Sequence, residues 1–174
     1  MTKTLALLLP LLACAACAGP RSIAWDGPDG ETAAAELMAA DRAFAADAAA
    51  DGLDGWMRWF AEDAARLDLP VTLVAGEVSP LGVVRQLAAI RAHDAPVFAS
   101  PELRLDWEPS DAGVFADGRY GFTVGRWRIQ QLVGDQGPTL PGGWYLTWWR
   151  WEDGGWRVVL DTGGPDPAAP VSGS

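Results

Sequence analysis

Three aspartates and a single histidine are the residues of this 174-residue chain whose types and settings could do chemistry. Asp41 stands four residues after Leu37 and three before Phe44, within the apolar stripe of a helical pattern, so it should point inward. An inward carboxyl must be paired, hydrogen-bonded or protonated, and groups perturbed in this way concentrate in functional pockets. The alternative is a structural ion pair, with Arg126 or Arg128 as the expected partner. Asp68 alternates with Leu67 and Leu69 in a strand-like run, and Asp161 sits at the exit of the last strand. Asp41 and Asp68 are the candidate catalytic groups, since a carboxylate so placed could abstract and return a proton in an isomerase- or cyclase-type reaction.

His93, the only histidine, is expected as an exposed cation at a helix end, and one imidazole cannot build a histidine metal cluster. The two cysteines, Cys14 and Cys17, lie near the N-terminus, which leaves the folded part without a thiolate site or a disulfide framework. No metal and no cofactor are expected. The formal charge of −10 argues against nucleic acid as a partner.

Ten tryptophans supply the rest of the signal. Strand alternation places Tyr145, Thr147, Trp149 and Trp151 on one face and Trp144, Leu146, Trp148 and Arg150 on the other. The first face, with Phe44 and Trp56 from the helices and Asp161 from the last strand, is expected to line a cavity. The candidate ligand-binding residues are thus Phe44, Trp56, Tyr145, Thr147, Trp149 and Asp161, and the expected ligand is a small apolar or aromatic molecule. The second face needs a cover, so a homodimer through the sheet is expected, with an envelope-protein or glycan contact through Trp148 and Arg150 as the alternative.

These residues must be positioned by helices that precede strands. A helical stripe runs from a cap at Thr32 to Gly52, and Leu53, Trp56, Met57 and Phe60 form a second, shorter one. Residues 66 to 74 alternate as a strand confined to an edge or bent by Pro70. Ser79 and Pro80 should open a third helix through Val83, Val84, Leu87 and Ile90 to near His93. Beyond Pro101 the period becomes two, with a two-residue hairpin turn at Asp117-Gly118 and a last hairpin turning at Glu152-Asp-Gly-Gly. Helices segregated from strands mean α+β: three N-terminal helices on a strongly curved antiparallel sheet of four to six strands, forming a cone with a pocket at its wide end.

Residues 1–17 have the pattern of a secretory leader, with Lys3 followed by the apolar run from Leu5 to Ala13. Leu11-Leu-Ala-Cys14 is similar to a bacterial lipobox, and Ala15-Ala-Cys17 offers a second version; cleavage near Ala16 or Ala18 without lipidation is the alternative. The expected location is the cell envelope as a periplasm-facing lipoprotein, otherwise soluble periplasmic or secreted, with a lipid anchor as the only membrane contact. A linker over 18–31, one folded domain over 32–164 and a disordered tail over 165–174 complete the reading.

The run DGLDGWMRWFAEDA beginning at Asp51 resembles the G-D-x-D-x-x-x-x-x-F-A-D-D-A segment of the nuclear-transport-factor-2-like superfamily, to which SnoaL polyketide cyclases and ketosteroid isomerases belong. Asp153-Gly-Gly-Trp-Arg-Val-Val-Leu-Asp161 resembles the final strand of SnoaL-like members of the domain-of-unknown-function type. The similarity extends from Ala33 to Thr162 and implies a cystatin-like cone, a fold that hosts many activities. Counted from the Phe60-Ala-Glu-Asp-Ala block, the resemblance places Asp68 at the isomerase base, Phe44 at the oxyanion-stabilising tyrosine and Thr147 near the protonated carboxylic acid. Two of the three groups are thereby missing, and steroid isomerisation is not expected.

Overall fold

The computed structural model describes residues 30–68, 82–132 and 142–166. The leader with Cys14 and Cys17, the expected cap Ser79-Pro80 and the chain from residue 167 onward lie outside the described residues.

Helix α1 spans Gly30–Asp51. Its many alanines lose no side-chain entropy on folding, and Ala33, Leu37, Asp41, Phe44 and Ala48 recur at spacings of three or four as one buried stripe. The helix already runs at Gly30, so Thr32 lies within its first turn, and Gly30 and Glu31 are helical where a linker was expected. Gly52 takes a positive φ of 59° and its N–H donates to Ala48 O at 2.9 Å, closing α1, although its ψ of −133° is not that of the left-handed helix expected there. Helix α2, Leu53–Met57, is a single turn folded back onto α1: a Cβ on Gly55 would meet the Asp47 carbonyl oxygen at 2.0 Å. Phe60, expected to complete its stripe, is instead the first residue of strand β1 (Phe60–Asp68).

The expected third helix is corrected in a similar way. Gly82–Arg85 form strand β2, in register with β1 from Asp68↔Gly82 to Ala65↔Arg85, and helix α3 covers only Leu87–Asp94. Val83 and Val84 are β-branched and sit on alternate faces of β2, and Gln86, with φ 75°, breaks the chain direction before the helix. A 3₁₀ turn, Ala95–Phe98, leads to β3 (Leu103–Val114), β4 (Tyr120–Gln131), β5 (Gly142–Glu152) and β6 (Gly155–Pro165). Pro165, expected to open the tail, ends β6 opposite Gly143.

The six strands are ordered β2-β1-β6-β5-β4-β3. Every pairing is antiparallel as expected except β1 with β6, which is parallel; the two are far apart in sequence, so no hairpin dictates their direction. The last hairpin turns through Asp153 (φ 52°) and Gly154 (φ 78°), the two positive angles of a type I′ turn. The β3–β4 connection is longer than the two-residue turn expected of Asp117-Gly118. Residues 116–119 are closed by the Phe115 N–H donating to Tyr120 O, with Gly118 at φ 73°. Irregularities at Pro109/Asp111 in β3 and opposite Trp148/Trp149 in β6 bend the sheet, and α1 packs across β3 and β4 on its concave face. Helices on one face of a curved, unclosed sheet give the α+β architecture read from the sequence.

Candidate functional site

Alternation decides which side chains of the sheet meet the helices. On β5, Tyr145, Thr147 and Trp149 are buried while Trp144 and Trp148 are exposed, which is the expected division. Phe44 on α1 anchors the aromatic core: its ring centroid lies 4.7 Å from that of Trp56, 4.9 Å from Trp107 and 5.9 Å from Trp149.

Between the helices and the concave face lies a cavity of about 270 Å³. Its walls are Phe44 and Trp56 from the helices, Val97 from the 3₁₀ turn, Leu105 and Trp107 from β3, and Trp127 and Ile129 from β4. Its polar end is made by Arg66 of β1, Tyr145 and Thr147 of β5, and Asp161 and Thr162 of β6. Of the residues singled out from the sequence, Phe44, Trp56, Tyr145, Thr147 and Asp161 line this cavity. Trp149 is fully buried beside it and donates its indole N–H to Thr123 Oγ1 at 2.9 Å. Trp151 packs edge-on against Trp156.

Asp41 points inward and is fully buried, but it is screened from the cavity by two residues that do line it. It accepts from Trp107 Nε1 at 2.8 Å and from the Tyr145 hydroxyl at 2.9 Å. Burial pushes its pKa up, opposed by hydrogen bonding from Trp107, Thr123 and Tyr145. The expected partners are elsewhere: Arg126 pairs with Asp166 and Arg128 with Asp106, because both arginines lie on the outward face of β4, between inward Gly125, Trp127 and Ile129. Burial and the neighbouring Asp41 raise Tyr145 in turn, so its phenol stays protonated.

Asp161 is the carboxylate that reaches the cavity. Thr147 Oγ1 donates to its Oδ1 at 2.6 Å and Arg66 Nη1 to its Oδ2 at 2.6 Å. Burial pushes it up to about 6 despite the Arg66 charge and the Thr147 hydroxyl.

Asp68 does not line the cavity. It accepts from His93 Nε2 at 2.9 Å near the surface, and His93 Nδ1 lies 2.9 Å from Asp94 Oδ1. With a carboxylate oxygen against each ring nitrogen, the imidazolium is favoured and the His93 pKa is raised, chiefly by the hydrogen bond with Asp94. Asp94 also accepts from Trp56 Nε1 at 2.9 Å and Arg66 Nε at 3.2 Å, so one network runs from Asp68 through His93, Asp94 and Arg66 to Asp161.

Sequence reasoning missed Arg66, Trp107 and Trp127. Arg66 read as the polar side of an edge strand. Only the parallel pairing that sets Arg66 opposite Asp161 reveals its place, and no local pattern encodes that pairing. Trp107 was legible as an inward residue of its strand but carried no mark of its carboxylate partner. Among the described residues, no group of three or more His, Cys, Asp or Glu side chains could hold a metal ion.

No protein-family model and no curated protein matches the sequence. Solved structures do resemble the fold. A nuclear-transport-factor-2-like protein with a cystatin-like fold from Novosphingobium aromaticivorans superposes with a TM-score of 0.57 at 13% identity, covering 78% of this chain and 83% of that one. One of unknown function from Pseudomonas putida KT2440 gives 0.57 at 15% identity, covering 77% and 87%. A ketosteroid isomerase-like protein from Erwinia carotovora atroseptica gives 0.55 at 12% identity, covering 76% and 95%. The chain has the nuclear-transport-factor-2-like, cystatin-like fold.

Proposed function

We propose that this protein binds a small, largely apolar or aromatic molecule in the cavity of its cone, and that its leader carries it to the cell envelope with Cys14 or Cys17 as the lipid-bearing residue. The observation that carries the binding reading is the cavity itself: about 270 Å³, walled by aromatic and aliphatic side chains, with its few polar groups gathered at one end. The leader residues alone support the address.

The test is a titration with 2-phenylethanol, a neutral aromatic alcohol, followed by NMR shifts and tryptophan fluorescence. Saturable binding with a Kd on the order of millimolar or tighter is expected for a ligand of this size. Leu105→Trp, which plugs the cavity, should weaken it about tenfold or more, a loss of about 1.4 kcal/mol. Shifts that do not saturate, or a plugged variant that binds as well, would sink the reading.

The outer face favours a second, compatible reading, in which it meets another copy of the chain. Trp148 is 40% exposed and packs its ring 5.8 Å from that of Phe115, itself 43% exposed, with exposed Tyr120 beside them. Light scattering at tens of micromolar should show a dimer that Trp148→Ser converts to monomer; a monomeric parent removes this reading.

A further inference from the structure

The cavity's hydrogen-bonding inventory is one-sided. Trp56, Trp107 and Trp127 spend their indole N–H groups on Asp94, Asp41 and the Trp144 carbonyl. The hydroxyls are spent as well: Tyr145 donates to Asp41, Thr147 to Asp161 and Thr162 to Leu67 O. What these groups leave for a ligand is acceptor capacity, namely oxygen lone pairs of Tyr145, Thr147 and Asp161, together with indole faces. Arg66 retains further N–H groups, but its single charge is already opposed by two carboxylates, Asp94 at 3.2 Å and Asp161 at 2.6 Å. Behind Tyr145 stands a third carboxyl, Asp41.

Resting on the cavity-binding reading above, we propose that the ligand is an organic cation: an aromatic or aliphatic amine whose ammonium group sits at the Asp161, Tyr145 and Thr147 end of the cavity and whose apolar body lies among the tryptophans. An ammonium brings N–H donors and no acceptor, matching the lone pairs that Tyr145, Thr147 and Asp161 leave open. It supplies the positive charge that the network is short of, since Asp68, Asp94 and Asp161 set three carboxylates against Arg66 and the His93 imidazolium, and it faces Trp56, Trp107 and Trp127, whose ring quadrupoles attract cations. An anionic ligand meets the opposite balance. The N–H groups that Arg66 retains could donate to it, but it would stand against the charges of Asp161 and Asp94, both buried beside the same guanidinium. Burial raises Asp161 toward protonation, and a cation against it offsets that desolvation.

Three probes of nearly one shape decide the matter at pH 7.5 and low salt: 2-phenylethylammonium, 2-phenylethanol and phenylacetate, each titrated by calorimetry and NMR. The ammonium should bind about tenfold or more tighter than the alcohol, and phenylacetate weaker than either, a step of about 1.4 kcal/mol per factor of ten. Asp161→Asn should bring the ammonium within about threefold of the alcohol, since that variant removes charge but not shape. The ranking on the parent protein needs no variant, so it holds as a test even if Asp161→Asn fails to fold. An alcohol that binds as tightly as the ammonium, or a phenylacetate that binds best, overturns the cation assignment and leaves the cavity reading standing. If none of the three saturates, the cavity reading falls and this inference with it.

Discussion

Replacing Asp41 by alanine tests the central packing claim, that a buried carboxylate holds two walls of the cavity in place. In the parent, Asp41 accepts from Trp107 Nε1 at 2.8 Å and from the Tyr145 hydroxyl at 2.9 Å, and it is fully buried on α1. Alanine strands both donors, each at about 1–3 kcal/mol. Against this stands the relief of no longer burying a carboxyl, and the freedom of Tyr145 to turn its hydroxyl toward the cavity. The net expectation is a loss of about 2–5 kcal/mol, a large share of the roughly 5–15 kcal/mol that holds a domain folded. Tyr145→Phe alone should cost about 1–2 kcal/mol, because Asp41 keeps its bond from Trp107. In the double variant the Tyr145 donor is no longer there to be stranded, so the two losses should fall short of additivity by about 1–2 kcal/mol. Urea unfolding of the parent, both single variants and the double variant measures each quantity. Arg126→Gln, combined with Asp41→Ala in the same format, should show no coupling, because Arg126 lies on the opposite face of the sheet and pairs with Asp166. A coupling between Asp41 and Tyr145 below about 0.5 kcal/mol, or a comparable coupling to Arg126, would refute the assignment.

The ionisable network makes stability depend on pH with a definite sign. Asp41 and Asp161 have raised folded-state pKa values, Asp161 at about 6, so the native state takes up their protons before the unfolded chain does and gains stability as pH falls toward 6 and below. His93 is also raised, so its contribution is complete below its ordinary 6.5 and is lost as pH climbs through the folded value. Both effects run the same way, and Tm should be higher near pH 5.5 than near pH 8, with His93→Gln flattening the alkaline part; a Tm that is flat or rises over that range contradicts the network. Asp63, lowered by its hydrogen bonds from Arg150, runs the other way, giving up its contribution only as the solution becomes strongly acid. Gly125→Ala should destabilise by about 1–3 kcal/mol through overpacking. Its Cβ would lie 2.2 Å from the Glu108 carbonyl oxygen and 2.7 Å from the Tyr145 ring. Since Tyr145 lines the cavity, 2-phenylethanol should bind more weakly as well, and a variant that unfolds and binds like the parent shows that the backbone yields there at no cost.

The parts legible in the sequence are those with local encoding. Asp153-Gly154 supports two positive φ angles, and the alternation from Trp144 to Trp149 assigns each side chain to a face. The inward direction of Asp41 follows from its spacing within α1. Its partners do not, because Trp107 and Tyr145 come from strands 66 and 104 residues away in sequence. The same alternation that was read on β5, applied to β4, turns Arg126 and Arg128 outward and removes them as partners. Val83 and Val84 fit a helical stripe as well as a strand, and only their pairing with β1 arbitrates. Strand order is the non-local quantity that mattered most. Without the parallel β1–β6 pairing, Arg66 and Asp161 have no reason to meet.

Two aspartates drawn from one short list of candidates end in opposite situations, and the difference comes from what surrounds them. Asp41 faces a tyrosine and a tryptophan that lie between it and the cavity, so its effect on any bound molecule passes through the orientation of those two rings. Asp161 sits in the lining itself, with one oxygen held by a hydroxyl and the other by a guanidinium that a second carboxylate already claims. A buried charge shared in this way is poor evidence for added stability, because desolvation consumes much of the Coulombic gain. Its consequence lies in selectivity. Counted with Asp68 and His93, the network holds three carboxylates against two cations, which disfavours anions in the cavity and rewards a ligand that arrives with N–H donors and a positive charge.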